Sequence, residues 1–414
     1  MLGAYGPWAA SLHGEGPRPL SFRAPRWTDI DEWRKQARGA LVDLLRSPEG
    51  TRAIDVQVHD AHGHDGLDVQ ELSWQLPYGP RTHAYFLKPW GAHGRLPGVL
   101  AFHDHGGDKY FGKRKITRAG DDVHPAMVRH QTQYYGGVPW ANELARRGFA
   151  VLVHDVFPFE SRRILASDLP RLVVERLMSP PLKVRELTPE DLAAAAADTA
   201  AAAARPVFRD DRGADVDVPE GEPEDRIIAY NAFAAQHESV IAKSLFSAGL
   251  TWPGLMVAED LAALDYLASR PDVDPERLGC GGLSGGGLRT SFLAGLDDRI
   301  RCAVCAGMMT TWEDFLLATS YTHTWMIYVP GLPALLDYPE IIGLRTPRPT
   351  LVLATTEDPL FTRQRTERAA RILEEIYAKA GVAERFRFSR YPGPHKLDRP
   401  MQEEAFAWME RWLS

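Results

Sequence analysis

One serine of this chain stands in a pattern that can turn a serine hydroxyl into a nucleophile. Residues 282–286 read Gly-Leu-Ser-Gly-Gly and fit G-x-S-x-G, with Ser284 at the centre. An apolar, strand-like run precedes the pattern, and a helix is predicted to begin near Leu288, which is the context that the pattern requires. The tight turn admits only very small residues beside the serine. Because a free serine hydroxyl is a poor nucleophile, a base is expected further along the chain.

A carboxylate and a histidine follow this serine, each just after a predicted strand. Asp358 comes after the apolar run LVLATT, and His395 lies in PGPHKL, between a predicted strand and the C-terminal helix. His395 is expected to take the proton of Ser284, while Asp358 holds the imidazole ring and stabilises its charged form. Glu357 is the alternative acid, and its other interpretation is a solvated loop charge. The chain has 14 histidines, so residue type alone does not identify the base. His395 is chosen because it follows a predicted strand and comes after the serine and the carboxylate in the chain.

An acyl-transfer site also needs two backbone N–H groups aimed at the negative charge that develops on the substrate oxygen. Gly285, directly after the serine, is expected to supply the first. The second is expected from the run His-Asp-His-Gly-Gly at residues 103–107, which follows the apolar strand GVLAF. Within this run the amide of His105 is favoured, and that of Gly106 is the next choice.

Three side chains of the same run, His103, Asp104 and His105, could also be metal ligands. No further ligand residues stand at a recognised spacing from this run, so the sequence predicts neither a metal nor a cofactor. The histidines of an earlier stretch are interpreted as loop residues, namely His59, His62 and His64.

The predicted strands and helices that must position these residues alternate along the chain as in an α/β protein. From Leu96 onward, short apolar runs alternate with helical stretches, which predicts parallel strands joined by crossover helices in a doubly wound sheet. Before that point, residues 53–58, 72–76 and 83–87 show the alternation of antiparallel hairpin strands. The expected fold is therefore a mostly parallel sheet with antiparallel N-terminal strands.

Two segments do not show this alternation of strands and helices. Residues 1–52 are predicted to form an N-terminal extension, whose helix places apolar side chains on one face: Trp33, Ala37, Leu41 and Leu45. Residues 53–414 form the predicted catalytic domain, and residues 157–250 within it are interpreted as a helical lid insertion. The alanine-rich tract at 193–204 belongs to this insertion. It is too weakly apolar for a membrane segment and is interpreted as a surface helix.

Composition excludes several classes of protein. The 414 residues are 44% hydrophobic and 25% charged, which is typical of a globular protein. A formal net charge of −7 offers no basic excess for nucleic acid or anionic lipid. No apolar run approaches the roughly 20 residues that span a bilayer, and the start of the chain lacks the pattern of a secretory leader. A cytoplasmic protein is expected, with no membrane partner and the possibility of a homo-oligomer.

The three cysteines are too few for a disulfide framework and lie in strand-like runs. Cys280, Cys302 and Cys305 are therefore predicted to be reduced core thiols. The spacing of Cys302 and Cys305 is that of a C-x-x-C motif, but residues three apart on a strand point to opposite faces, so a redox or metal role is not expected.

Taken together, these residues resemble the α/β-hydrolase superfamily, and within it the chain is similar to bacterial dienelactone hydrolases and acetyl xylan esterases. The resemblance runs from about His83 to the C-terminus and is carried by GVLAFHDHGGDKYFGKRKI, ARRGFAVLVHDVFPFESRR, DVDPERLGCGGLSGGG, LDDRIRCAVCAG, PRPTLVL, EDPLF and GPHKL. It implies an acyl-enzyme mechanism without a cofactor, carried by Ser284, Asp358 and His395.

The chain departs from the family pattern at several places. Asp104 stands where a glycine often follows the histidine of the loop that completes the oxyanion hole, and Gly285 stands where a bulkier residue is common. Dienelactone hydrolases use a cysteine nucleophile, so Ser284 does not imply that activity. The insertion at 157–250 is not part of the minimal fold.

The expected activity is hydrolysis of carboxylic esters with small, acetyl-type acyl groups. A peptidase or amidase of the same fold is the alternative, because the same triad cleaves amides. A second alternative is a binding protein that kept the fold and lost the activity. The aromatic stretch at 312–325 is expected either to shape the alcohol side of the pocket or to pack against the sheet.

Overall fold

The computed structural model describes residues 1–14, 16–178 and 221–414, together with the single positions 190, 193, 197 and 217. The predicted alanine-rich helix at 193–204 lies outside the described residues, apart from two of those single positions. The prediction of this helix is therefore not tested.

A nine-stranded sheet organises the described part of the chain. In chain order its strands are β1 Ile54–His64, β2 Leu67–Gln75, β3 Thr82–Pro89, β4 Leu96–Phe102, β5 Ala150–His154, β6 Val273–Leu283, β7 Ile300–Ala306, β8 Thr350–Thr355 and β9 Phe386–Tyr391. Across the sheet the order is β1-β2-β3-β5-β4-β6-β7-β8-β9. The first three strands pair antiparallel, β3 is antiparallel to β5, and the pairs from β5 to β9 are parallel. The predicted mostly parallel sheet with antiparallel N-terminal strands is confirmed.

Helices cover both faces of this sheet. Those of six residues or more in the described ranges are α1 Gly6–Ser11, α2 Ile30–Leu45, α3 Pro125–Tyr135, α4 Trp140–Arg146, α5 Arg171–Met178, α6 Glu224–Ser247, α7 Trp252–Ser269, α8 Gly285–Leu296, α9 Tyr338–Gly343, α10 Arg363–Lys379 and α11 Arg399–Leu413. Helices α4 and α11 share a buried apolar cluster with one sheet face, and α7 and α8 share clusters with the other. This two-sided cover gives the doubly wound architecture that the sequence predicts.

The cysteines lie as predicted. All three are free and buried. Cys302 belongs to the cluster under α4 and α11, whereas Cys305 belongs to the cluster under α7 and α8, so the two side chains leave β7 on opposite faces. Burial raises the pKa of both Cys302 and Cys305 to about 12, which keeps them as neutral thiols.

The N-terminal hairpin is longer than predicted. Strands β1 and β2 pair along most of their length around a turn at Asp65 and Gly66. The interpretation of His59, His62 and His64 as loop residues is wrong, because all three lie on β1. β1 is the edge strand of the sheet and is largely exposed on both faces, so its polar sequence lacks the alternation that reveals a half-buried strand.

Helix α2 buries the face that its spacing predicts. Its start is capped by the Asp29 carboxylate, which accepts hydrogen bonds from the N–H groups of Asp31 and Glu32. Its four apolar positions are 1% exposed or less: Trp33, Ala37, Leu41 and Leu45. They join the cluster that contains residues of α7 and α8. The face is therefore covered within the chain, and the boundary at residue 52 stays a prediction.

Among the described residues of the segment 157–250, helices α5 and α6 and short 3-10 turns are joined by loops, and no strand is present. Its interpretation as a lid stays a prediction. Within the described residues no single helix has the length and apolar character to cross a membrane, and α6 and α7 pass that test only when taken together as a pair bent by 84°.

Candidate active site

Ser284 occupies the turn between β6 and α8. Its backbone has φ 56° and ψ −116°, a conformation that non-glycine residues rarely adopt and that marks a strained turn. Its N–H donates to the Ala306 carbonyl on the neighbouring strand at 2.9 Å. Helix α8 begins at Gly285, three residues earlier than the predicted start near Leu288. The serine therefore stands directly at the helix N-terminus.

The small residues on either side of this turn are required by a close approach. A Cβ on Gly282 would lie 2.4 Å from the Phe102 carbonyl oxygen, and one on Gly286 would lie 2.3 Å from the same atom. Both distances are far below a tolerable contact. The end of β4 therefore packs directly against the turn, which brings the loop after β4 beside Ser284.

Asp358 and His395 form a hydrogen-bonded pair at the ends of β8 and β9. His395 Nδ1 lies 2.7 Å from Asp358 Oδ2, and the side chains are 11% and 8% exposed. Because an ionised carboxylate can only accept, the Nδ1–H donates and the free lone pair is on Nε2. Asp358 Oδ1 also accepts from the Leu360 N–H at 3.0 Å. Glu357 is exposed, and the structure brings Asp358 and not Glu357 to the histidine.

The second nitrogen of His395 is available for the serine. Nε2 is buried and has no hydrogen-bond partner among the described residues. Ser284 and His395 line the same cavity. No hydrogen bond yet joins Ser284 Oγ to Nε2 within the described part of the chain, and such bonds commonly tighten only when substrate is present.

Gly285 and His105, the two residues predicted for the oxyanion hole, lie against each other. A Cβ on Gly285 would be 2.8 Å from the His105 amide nitrogen. Gly285 is the first residue of α8, so its N–H has no partner within the helix. The N–H of His105 donates to no other described group. Two backbone donors therefore stand free beside Ser284, at the positive end of a helix dipole.

Lys115 holds the loop that carries His105, and sequence reasoning missed it. The side chain is fully buried. Its Nζ donates to the carbonyl oxygens of Asp104 at 2.9 Å, His105 at 2.8 Å and Asp108 at 2.6 Å. All three ammonium protons are thus used on one loop. The sequence FGKRKI gives no spacing signal for this role, because the contacts reach back seven to eleven residues through an irregular segment.

The Asp104 side chain belongs to a buried polar cluster beside the cavity. Its Oδ1 accepts from His130 Nε2 at 3.0 Å and from the Tyr135 hydroxyl at 2.5 Å. Burial alone would raise the pKa of Asp104, but the charges of His130 and Lys115 and these hydrogen bonds hold it well below its usual value. Asp104 is therefore an ionised anchor for the loop.

No group of three or more His, Cys, Asp or Glu side chains in the described ranges is placed to hold a metal ion. Of the candidate ligands named from the sequence, the His103 ring is buried and donates from Nδ1 to the Asp104 carbonyl at 3.0 Å. The ring also makes a T-shaped contact with Phe159, with the ring centroids 5.0 Å apart.

The His105 side chain connects the loop to α6. Its Nε2 lies 2.9 Å from Glu238 Oε1, and Lys109 Nζ lies 2.5 Å from the same oxygen. The other carboxylate oxygen of Glu238 accepts from the Trp325 N–H at 3.3 Å. Glu238 therefore joins three parts of the chain, and no feature of the α6 sequence singles it out.

A cavity of about 500 Å³ opens above Ser284. Its wall combines Ser284, Gly285 and His395 with polar and apolar residues, most of them from the loop after β4, from α6 and from the segment after β7, and the rest from α3, β6, α8 and the loop after β8: Asp104, His105, Lys109, Tyr134, Ala235, Glu238, Leu283, Leu288, Met308, Tyr321, Thr322, His323, Thr324, Ile327 and Leu360. Residues of the predicted lid thus line the cavity beside the serine.

The aromatic stretch at 312–325 divides between the two roles expected of it. Tyr321 and His323 line the cavity, and Tyr321 is 76% exposed at its rim. Trp312 is buried instead, and its indole N–H donates to the Leu336 carbonyl at 3.0 Å. The beginning of the stretch packs, and its end shapes the pocket.

Sequence comparison agrees with this geometry. The model of the prolyl oligopeptidase family matches residues 250–412, the part of the chain that holds Ser284, Asp358 and His395. A protein of Bacillus subtilis (strain 168) named "Putative hydrolase YtaP" is 25% identical over 383 residues, which cover 92% of this chain and 100% of that one. The chain is a serine hydrolase of the α/β-hydrolase fold.

Solved structures share the fold of this hydrolase. A putative acetyl xylan esterase from Bacteroides fragilis has a TM-score of 0.63 at 15% identity, covering 94% of this chain and 83% of that one. A promiscuous CE15 esterase from a marine bacterial metagenome has a TM-score of 0.57 at 12% identity, covering 96% of each chain. A glucuronoyl esterase from Solibacter usitatus has a TM-score of 0.55 at 13% identity, covering 96% and 98%.

Proposed function

We propose that this hydrolase cleaves carboxylic esters with small, acetyl-type acyl groups through an acyl-enzyme on Ser284. The observation that carries the proposal is the Asp358–His395 pair at 2.7 Å, whose buried Nε2 has no partner in the described part of the chain and lies at the cavity that Ser284 lines. This arrangement supplies an oriented base to a serine on a strained turn.

The first half of the proposed reaction acylates the serine. Ser284 Oγ attacks the ester carbonyl carbon while its proton passes to His395 Nε2. The carbonyl oxygen becomes an oxyanion, which receives hydrogen bonds from the N–H groups of Gly285 and His105. The oxyanion then collapses, the bond from carbon to the alcohol oxygen breaks, and His395 returns the proton to the leaving alcohol.

The second half releases the acid. Water gives one proton to His395 Nε2 and attacks the acyl carbon, which forms a second oxyanion in the same N–H pair. When this intermediate collapses, the bond to Ser284 Oγ breaks and His395 returns the proton to the serine. Asp358 orients the imidazole and stabilises its charged form in both halves.

The cavity wall supports an ester whose alcohol part is polar. Glu238, Lys109 and the hydroxyl-bearing Thr322 and Thr324 contribute to it, so a leaving alcohol with several hydroxyl groups finds hydrogen-bond partners there. Proteins of similar fold are named as an acetyl xylan esterase and as glucuronoyl esterases, which supports a carbohydrate ester as the substrate class.

The experiment that tests this function is a substrate series on the purified full-length chain. p-Nitrophenyl esters of two to twelve carbons, acetylated sugars and aminoacyl p-nitroanilides are compared by kcat/KM, with Ser284→Ala as the control. We expect the acetyl esters to be the best substrates and every activity to depend on Ser284. Faster turnover of the aminoacyl amides would establish the peptidase alternative, and a preference for the longest acyl chains would contradict the small-acyl proposal.

A further inference from the structure

Lys115 is a buried cation that no step of the proposed reaction uses. Its side chain has no exposure, and its ammonium group lies beneath the loop that supplies the His105 N–H. We propose that Lys115 is a positioning residue of the oxyanion hole, which aims the N–H group of His105 toward Ser284 and strengthens it as a donor. This inference rests on the proposed function, because it concerns the oxyanion of that reaction.

The geometry of the peptide bond gives the first argument. A trans peptide unit is planar, and its C=O and N–H point in opposite directions. The Asp104 carbonyl and the His105 N–H belong to one peptide unit, and the His105 carbonyl and the Gly106 N–H belong to the next. Lys115 Nζ binds these two oxygens at 2.9 and 2.8 Å. Both N–H groups must therefore point away from the ammonium group.

The position of Gly285 shows where the first of these N–H groups stands. The His105 nitrogen would lie 2.8 Å from a Cβ on Gly285, so it is beside the residue that follows the nucleophile. No described acceptor takes the His105 N–H. Lys115 and Ser284 thus lie on opposite sides of the same peptide unit, with the ammonium at its oxygen end and the nucleophile near its nitrogen end.

The electrostatics of the ammonium group give the second argument. The nearest carboxylate oxygen, Asp104 Oδ2, is 4.0 Å from Nζ, and the other oxygen of Asp104 is bound by His130 and Tyr135. Lys115 is therefore held by carbonyl dipoles and not by a direct carboxylate hydrogen bond. A cation on a carbonyl oxygen polarises its peptide unit, so that the N–H becomes a better donor.

A second buried lysine, two positions earlier, offers a matched comparison. Lys113 Nζ binds the Asp155 carboxylate at 3.0 Å and the Glu160 carboxylate at 2.7 Å. It has the same charge, is also buried, and its loss also leaves a polar cluster incomplete, yet it makes no contact with the carbonyls of the oxyanion loop. A merely structural role for Lys115 predicts that the two lysines behave alike.

The test compares Lys115→Met with Lys113→Met and wild type in the full-length chain. With p-nitrophenyl acetate, Lys115→Met is expected to lower kcat by about 100-fold to 1,000-fold, the usual cost of a lost oxyanion donor, with KM changed by less than about threefold, because the donors act mainly on the transition state. Lys113→Met is expected to keep kcat within about threefold. Equal losses of kcat in the two folded variants would overturn the proposal.

A trifluoromethyl ketone separates positioning from general damage. It adds to Ser284 Oγ, the serine proton passes to His395, and the ketone oxygen becomes an oxyanion in the same site. Its affinity is expected to fall in Lys115→Met by the same factor as kcat, whereas the affinity of the product acid is expected to stay unchanged. An unchanged affinity for the ketone in Lys115→Met would contradict the proposal.

Wild-type enzyme gives a test that holds even when Lys115→Met does not fold. In protein labelled with ¹⁵N-lysine, with the two resonances assigned by Lys113→Met and by the conservative Lys115→Arg, the Lys115 Nζ resonance is expected to move when the ketone adduct forms, while that of Lys113 stays in place. An unmoved Lys115 resonance would overturn the inference. Wild-type turnover of no ester at all would instead refute the proposed function, so the two failures are distinguishable.

Discussion

Gly285 and His105 touch so closely that a single methyl group would separate them. A Cβ on Gly285 would come within 2.8 Å of the His105 amide nitrogen and 3.2 Å of the His105 Cβ. The glycine after the nucleophile, where a bulkier residue is common in the family, therefore permits the loop after β4 to approach the serine. The two proposed oxyanion donors depend on this contact.

Gly285→Ala is expected to lower kcat by about 100-fold, because the added methyl pushes the His105 N–H away from the substrate oxygen. The backbone of Gly285 is helical, so the substitution brings no strain of its own. Gly39→Ala is the control, since a methyl group on that helical glycine meets no atom of the described residues within 4 Å. Steady-state kinetics with p-nitrophenyl acetate measure both variants, and a fully active Gly285→Ala enzyme would place the second donor elsewhere.

Asp358→Asn is expected to reduce kcat by about 10,000-fold, because the amide no longer holds the His395 tautomer that leaves Nε2 free to accept. The neighbouring Glu357→Gln changes a carboxylate of the same loop that is exposed, so kcat is expected to stay within about twofold. Steady-state kinetics of both variants with p-nitrophenyl acetate show which of the two carboxylates is the acid of the triad. A larger loss in Glu357→Gln would reverse the assignment of the acid.

Glu238→Gln is expected to remove part of the pH dependence of folding. Burial alone would raise the pKa of Glu238, but the hydrogen bond and charge of His105 and the charge of Lys109 hold it well below its usual 4.5. A depressed folded pKa stabilises the protein above pH 4.5, and this stabilisation is lost as the pH falls toward the folded pKa.

Urea unfolding of wild type and Glu238→Gln measures this contribution. At pH 7 we expect the glutamine variant to be less stable by about 2 kcal/mol, the scale of hydrogen bonds to a charged group. At pH 4 the difference is expected to narrow by roughly 1 kcal/mol, because the unfolded carboxyl is then largely protonated. A difference that is constant with pH would show that Glu238 is not ionised in its contact with His105.

The cysteines are expected to be inert in the native protein. All three thiols are buried, and burial raises the pKa of Cys302 and Cys305 to about 12. A thiol-reactive dye at pH 8 should therefore label none of them before unfolding and all of them in guanidinium chloride. Rapid labelling of the native protein would show that one of these strands opens to solvent.

Much of the sheet and of the triad arrangement follows from local signals in the sequence. The strands before Ser284 and Asp358 are short apolar runs, and parallel strands bring their carboxyl ends to one edge of a sheet. The order of the serine, the carboxylate and the histidine then restricts the choice of partners. The structure accordingly places Asp358 and His395 within hydrogen-bonding distance.

The residues that hold the site in place could not be found in this way. Lys115 and Glu238 act through contacts of irregular segments and of separate elements, which leave no periodic pattern. The edge strand β1 was missed in part for a related reason, because exposure on both faces removes the alternation of apolar and polar residues.

The central claim, that Ser284 is the nucleophile of an ester hydrolase, is tested most directly by the turnover of p-nitrophenyl acetate in wild type and Ser284→Ala. The variant keeps the charge of the site and loses only the attacking oxygen. We predict that kcat falls by about a million-fold, the loss that follows removal of a triad nucleophile. Equal turnover in the two proteins would contradict the account, because the chemistry would then lie outside the triad.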